Sequence, residues 1–106
     1  MRISAESRPW LSQYPQGVPA DLPPIACRSM VDLLDESFGR FDSQPACSFL
    51  GTQMTYAQWD LASRRMAAYL QSLDLNRGDR VAVMMPNMPQ YLIAVAAIWR
   101  AGLVLV

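Results

Sequence analysis

Residues 77–106, RGDRVAVMMPNMPQYLIAVAAIWRAGLVLV, read as a strand, a helix and the opening of a second strand. Asp79 to Met85 is a β-rich run behind the turn signal Asn76-Arg77-Gly78-Asp79. Asn87 is placed to cap the helix, with Gln90 three residues on, and Pro86 and Pro89 are tolerated near a first turn. Ala101-Gly102 closes that helix, and Leu103 to Val106 begins a buried strand. Strand, helix and strand in this order predict a right-handed parallel crossover. Parallel sheets are normally larger and covered on both faces. A chain that stops inside an apolar strand is therefore expected to be the front piece of a larger protein.

Working towards the amino terminus, Thr55-Tyr56-Ala57-Gln58 matches the S/T-x-x-E/Q capping box and opens a long helix. Trp59, Ala62, Met66, Tyr69, Leu70 and Leu73 are predicted to line its core face, with Asp60, Arg64, Gln71 and Asp74 turned away. The aromatic and Met stripe reads as core rather than as a cofactor box. Ahead of it, Ala46 to Leu50 and Met54 to Tyr56 form a hairpin across Gly51-Thr52-Gln53. Ser29 caps an earlier helix that carries Met30, Leu34, Phe38 and Phe41 at helical spacing. Residues 1–28 are a Pro-rich lead, with Pro9, Pro15, Pro19, Pro23 and Pro24 excluding a helix interior or central strand. The lead is expected to lie extended on the surface, with Trp10 and Tyr14 in apolar grooves. The globular part is then 29–106.

Composition excludes several classes of function. With 106 residues and 52% hydrophobic content the chain can bury a modest core. Nine basic residues balance nine acidic ones, so there is no basic footprint for nucleic acid. All nine are Arg, and the sequence holds neither Lys nor His. No His general base, Cys–His pair, His metal ligand or Lys nucleophile can therefore be built from this chain. Cys27 and Cys47 are too far apart in sequence for a CxxC pattern and read as free thiols in a reducing compartment. Arg2 and Arg8 are followed by no apolar run, so no secretory signal is read. The uncharged stretch 81–99 is broken by Pro86, Asn87, Pro89 and Gln90 and is too short to span a bilayer.

The glycines stand at 17, 39, 51, 78 and 102, too scattered for a GxGxxG motif or a P-loop. Asn87 would lie beyond the carboxyl end of a parallel strand, where α/β sheets bind ligands, although a helix cap is the simpler role. Asp79 and Arg80 suit a turn or a surface ion pair.

Taken together, Thr55-Tyr56, Gly78-Asp79-Arg80-Val81, Asn87-Met88-Pro89 and Ala101-Gly102 resemble the amino-terminal signature of the acyl-CoA synthetases, in the adenylate-forming (AMP-binding) superfamily. The leader Trp10-Leu11-Ser12-Gln13-Tyr14-Pro15, followed by Gly17-Val18-Pro19, is similar to the start of bacterial long-chain fatty-acid–CoA ligases. Gln58 and Trp59 depart from the family pattern, which often has an acid and Leu there. The resemblance implies an α/β fold: helix, hairpin and parallel strand–helix–strand at the start of the large N-terminal domain.

It also implies a two-step ligation by the complete protein. A fatty carboxylate attacks the α-phosphate of ATP to give acyl-AMP and pyrophosphate, and the thiol of coenzyme A then displaces AMP. Mg²⁺ would neutralise phosphate charge. The family's phosphate loop, acidic Mg-assisting residue, acyl pocket and catalytic Lys all fall later in the chain. The expected number of catalytic, cofactor-binding and metal-binding residues in this segment is therefore none. ATP, Mg²⁺, coenzyme A and fatty acid are partners of the full-length enzyme. The same resemblance is compatible with a cytoplasmic enzyme, with peripheral contact at the inner face of the cell membrane, and with a homodimer. Two alternatives stay open: an adenylate-forming enzyme for an aromatic or amino acid, or a free-standing interaction module that docks through the helix around Tyr91 to Trp99.

Overall fold

A computed structural model describes residues 8–106. Residues 1–7, including Arg2 of the expected lead, lie outside the described residues. Pro9–Gln13 folds into a short 3-10 turn, and Trp10 and Tyr14 remain 46% and 41% exposed rather than seated in grooves. Arg8 pairs with Asp21 at 2.7 Å and closes the lead into a loop.

Helix α1 (Met30–Arg40) begins where Ser29 Oγ accepts from the Asp32 N–H at 3.1 Å, with Asp32 itself in the first turn. Both features offset the unpaired N–H groups and positive dipole end of the helix. The hairpin follows, β1 (Pro45–Phe49) antiparallel to β2 (Thr52–Thr55). Its turn is Leu50-Gly51 and not the expected 51–53. Both residues have positive φ, 48° and 79°, as a two-residue hairpin turn of right-handed twist requires. Pro45 lies at the first position of its strand, where a missing N–H costs nothing, and a bulge separates it from Cys47.

Helix α2 (Tyr56–Ser72) starts on the complete capping box. Gln58 N–H donates to Thr55 Oγ1 at 3.2 Å, and Thr55 N–H donates to Gln58 Oε1 at 2.9 Å. Thr55→Ala is expected to cost about 1 kcal/mol, measurable as a shift in the urea midpoint. An unchanged midpoint would show that the box contributes nothing.

The buried face of α2 differs from expectation. Ser63, Ala67 and Leu70 are buried, Trp59, Ala62 and Met66 half-buried, and Tyr69 and Leu73 exposed at 62% and 41%. The true stripe follows 59, 63, 67 and 70, steps of four, four and three. Residues 69 and 73 fall off its edge, because one residue turns the helix by about 100°. Small residues occupy the middle of that stripe because α3 (Pro89–Arg100) packs closely there with Ala94, Ala96 and Ala97, all fully buried. The apolar circumference of α3 is accordingly covered from Ala94 through Ile98.

Short strands β3 (Arg80–Val81) and β4 (Val104–Leu105) pair in parallel, with α3 crossing between them. Val104 N–H donates to Asp79 C=O, Val106 N–H to Val81 C=O and Val83 N–H to Val106 C=O, at 2.8–3.0 Å, which carries the pairing to Val83. The expected strand ran to Met85. Met84 is 99% exposed and neither it nor Met85 has a strand beside it among the described residues. Gly102, at φ 76°, turns the chain out of α3, and its carbonyl accepts from the Gly78 N–H at 2.9 Å. The architecture is α/β, in two apolar clusters. One joins Ala67, Leu70, Ala97, Ile98 and Leu103; the other joins Leu34, Phe38 and Ala96 under Tyr56, Trp59 and Trp99.

Candidate functional site

Two places gather polar or reactive side chains. The first is a cleft of about 330 Å³ between β1 and the start of α3, lined by Cys47, Ser48, Phe49, Asn87, Met88, Pro89, Tyr91 and Leu92. It lies past the carboxyl end of β3, the region where parallel sheets bind ligands. Asn87 reaches this cleft but does not cap α3. The cap position belongs to Met88, whose side chain makes no capping bond, with Pro89 at the first helical position. Proline at the first helical position supplies the fixed φ and leaves no unpaired N–H there, and the Tyr91 N–H donates to the Met88 carbonyl at 2.9 Å, so α3 starts without help from Asn87. The first turn of α2, which follows the hairpin directly, is held against the first turn of α3 by Trp59, whose indole N–H donates to the Leu92 carbonyl at 2.8 Å.

The chemistry of this cleft is limited by its lining. It contains a thiol, a serine hydroxyl, an amide and a phenol, but no cationic side chain and no carboxylate. A triphosphate needs cations or a nest of backbone N–H groups, and Mg²⁺ needs carboxylate oxygens. The cleft does not fit ATP–Mg²⁺. Among the described residues no group of three His, Cys, Asp or Glu side chains could hold a metal ion.

The second place is a cluster of charges where α1, α2 and α3 meet. Arg100 Nη2 donates to Asp60 Oδ1 at 2.6 Å and to Asp35 Oδ1 at 2.8 Å, while its Nε donates to Ser63 Oγ at 3.1 Å. Its guanidinium also lies 5.2 Å from the Phe38 ring centroid. Arg64 completes the group, 2.9 Å from Asp60 and 3.9 Å from Asp35. Two Asp and two Arg cancel in charge. The cluster thus holds three helices together without presenting a free charge to a ligand. The sequence reading placed Asp60 away from the core and passed over Ser63. The missed signal was Arg100, a lone charge at the end of a helix otherwise apolar from Tyr91 to Trp99.

Asp79 settles into a turn: its carboxylate accepts from the Asn76 N–H at 2.8 Å, and Arg80 stays exposed. Cys27 and Cys47 are free thiols, both half-buried. No helix among the described residues is long and apolar enough to cross a membrane.

Comparison with known proteins agrees with the fold and with the block pattern. The AMP-binding enzyme family matches residues 34–106. A long-chain-fatty-acid–CoA ligase of Escherichia coli O6:H1 is 45% identical over 98 residues, which is 92% of this chain and 18% of that protein. Triostin synthetase I of Streptomyces triostinicus is 37% identical over 75 residues, 71% of this chain and 14% of the synthetase. Among solved structures, the N-terminal subdomain of Klebsiella oxytoca NpsA in complex with 3-hydroxyanthranilyl-AMSN superposes with a TM-score of 0.72 at 30% identity, covering 76% of this chain and 21% of that one. The chain therefore spans under a fifth of the length of the curated relatives it matches. On sequence and on fold together, it belongs to the AMP-binding, adenylate-forming enzyme family.

Proposed function

We propose that residues 29–106 form the opening part of the large domain of a long-chain fatty-acid–CoA ligase, and that residues 1–28 are a surface lead to it. The observation that carries the substrate class is the identity with the Escherichia coli ligase, which extends over 92% of the chain and so includes part of the Pro-rich lead. The family match begins only at residue 34 and does not discriminate among substrates. In this reading the complete enzyme adenylates a fatty acid with ATP and Mg²⁺ and passes the acyl group to coenzyme A. The present segment contributes scaffold and no catalytic, nucleotide-binding or metal-binding residue. Its lack of Lys and His and the neutral, apolar cleft support that assignment. The cytoplasmic location, with peripheral membrane contact or a homodimer, rests on the family resemblance alone.

A second reading, an adenylate-forming enzyme for an aromatic or amino acid, is favoured by the likeness to triostin synthetase I and to NpsA. The full-length protein, assayed with ATP, Mg²⁺ and coenzyme A, separates the two. Thioester formation from long-chain fatty acids is expected, with turnover of benzoates and amino acids at least a hundredfold lower. Pyrophosphate release with only an aryl or amino acid would establish the second reading. The 106-residue chain should form no acyl-AMP in the same assay, and any that appears would refute the scaffold role.

A further inference from the structure

Helix α1 is attached very unevenly along its length. Its carboxyl end is tied down: the Ala57 N–H donates to Asp42 C=O at 2.9 Å, the Tyr56 N–H donates to Gln44 C=O at 3.0 Å, and the Phe41 ring lies 5.8 Å from that of Tyr56. Its amino end is capped by Ser29 but little covered, with Met30 and Leu33 exposed at 46% and 41%. Between the two ends, only Leu34 and Phe38 are buried. The one ionic link from α1 to α3 is Asp35 to Arg100, and Asp35 is half exposed.

The two apolar clusters divide the same way. Helix α1 contributes buried residues only to the cluster that contains Ala96, whereas Ala67, Leu70, Ala97, Ile98 and Leu103 close on one another without it. If α1 lifts, that second cluster is untouched and Arg100 keeps both Asp60 and Ser63. Segments with few buried apolar contacts open at lower free energy than the rest of a molecule. We propose that α1 is a hinged strap that turns about residues 41–44 and is latched across α2 and α3 by Asp35–Arg100 and by Phe38. Its opening would bare the faces of Trp59 and Ala96 while α2, α3 and the β3–β4 pair stay folded.

Hydrogen exchange read by mass spectrometry on the full-length protein, followed in the peptides of this segment, tests this. Amides of residues 34–40 are expected to exchange at least tenfold faster than those of 94–98. The variant Asp35→Asn removes the ionic half of the latch yet leaves Phe38 in place and Arg100 its other partners, so it should speed α1 exchange at least threefold with no change in α3. Sodium chloride at about 1 M, where the screening length is near 3 Å, should act in the same direction. Equal exchange in α1 and α3, an Asp35→Asn variant with unchanged α1 rates, or a parallel rise in both helices would overturn the strap.

Discussion

Replacing Ile98 with alanine is expected to destabilise the chain by about 4 kcal/mol, the largest effect of any single truncation. Ile98 is fully excluded from solvent and stands where α2, α3 and β4 meet, in contact with the cluster of Ala67, Leu70 and Leu103. Its own carbonyl accepts from the Leu103 N–H at 3.0 Å, which pins the backbone on both sides of the turn into β4. Large-to-small changes in such places cost about 2–5 kcal/mol, and the upper part of that range applies where the surroundings cannot collapse into the gap. Here Ala67 and Ala97 have no side chain to move inwards, and Leu70 and Leu103 are held in place by α2 and by the Leu103–Ile98 backbone bond. Against a total stability of about 5–15 kcal/mol, much of the margin would go. Urea unfolding followed by tryptophan fluorescence gives the number. Tyr69→Ala, at a residue 62% exposed, serves as the comparison and should stay within about 0.5 kcal/mol. A loss below about 1.5 kcal/mol at Ile98 would show that the cluster is looser than its burial indicates.

Arg100→Met is the second large effect, expected at about 2–3 kcal/mol. Removing one partner of a fully buried ion pair costs about 3–5 kcal/mol because the other charge is left stranded. The Arg100 side chain is only 10% exposed, but the side chains of Asp60 and Asp35 are 26% and 48% exposed, so water compensates part of the loss. Asp60 also retains Arg64 at 2.9 Å, and Ser63 still donates to the Asp60 carbonyl at 2.8 Å. Methionine preserves the packing of the stem, so the loss reports the polar head. Arg100→Lys should restore less than half of it, since a single ammonium cannot span Asp35, Asp60 and Ser63 as a planar fork does. Full rescue by lysine would mean that charge alone matters at this position, not the geometry of the fork.

How far the sequence could be read depended on the range of the interactions. Capping is local, so Ser29 with Asp32 and Thr55 with Gln58 were legible from spacing, and both form as expected. The parallel pairing of 80–81 with 104–105 followed from strand–helix–strand order and Gly102. Asn87 was misread because two local signals compete there, a capping amide and a proline that begins the helix without one; the proline prevails. Tyr69 was misread because helical periodicity fixes a face only to within about one residue's rotation, and its choice of face belongs to the packing of α3.

For this chain, the sequence by itself determined the element order, the helix starts and the block pattern of an adenylate-forming enzyme, because each depends on residues within a few positions of one another. Tertiary structure alone decided which stripe of α2 is buried, that β1 and the start of α3 enclose a neutral cleft around Cys47 and Asn87, and that Arg100 joins Asp35 and Asp60 across three helices. Arg100 reaches Asp60 across 40 positions and Asp35 across 65, and no local preference of the chain encodes such contacts.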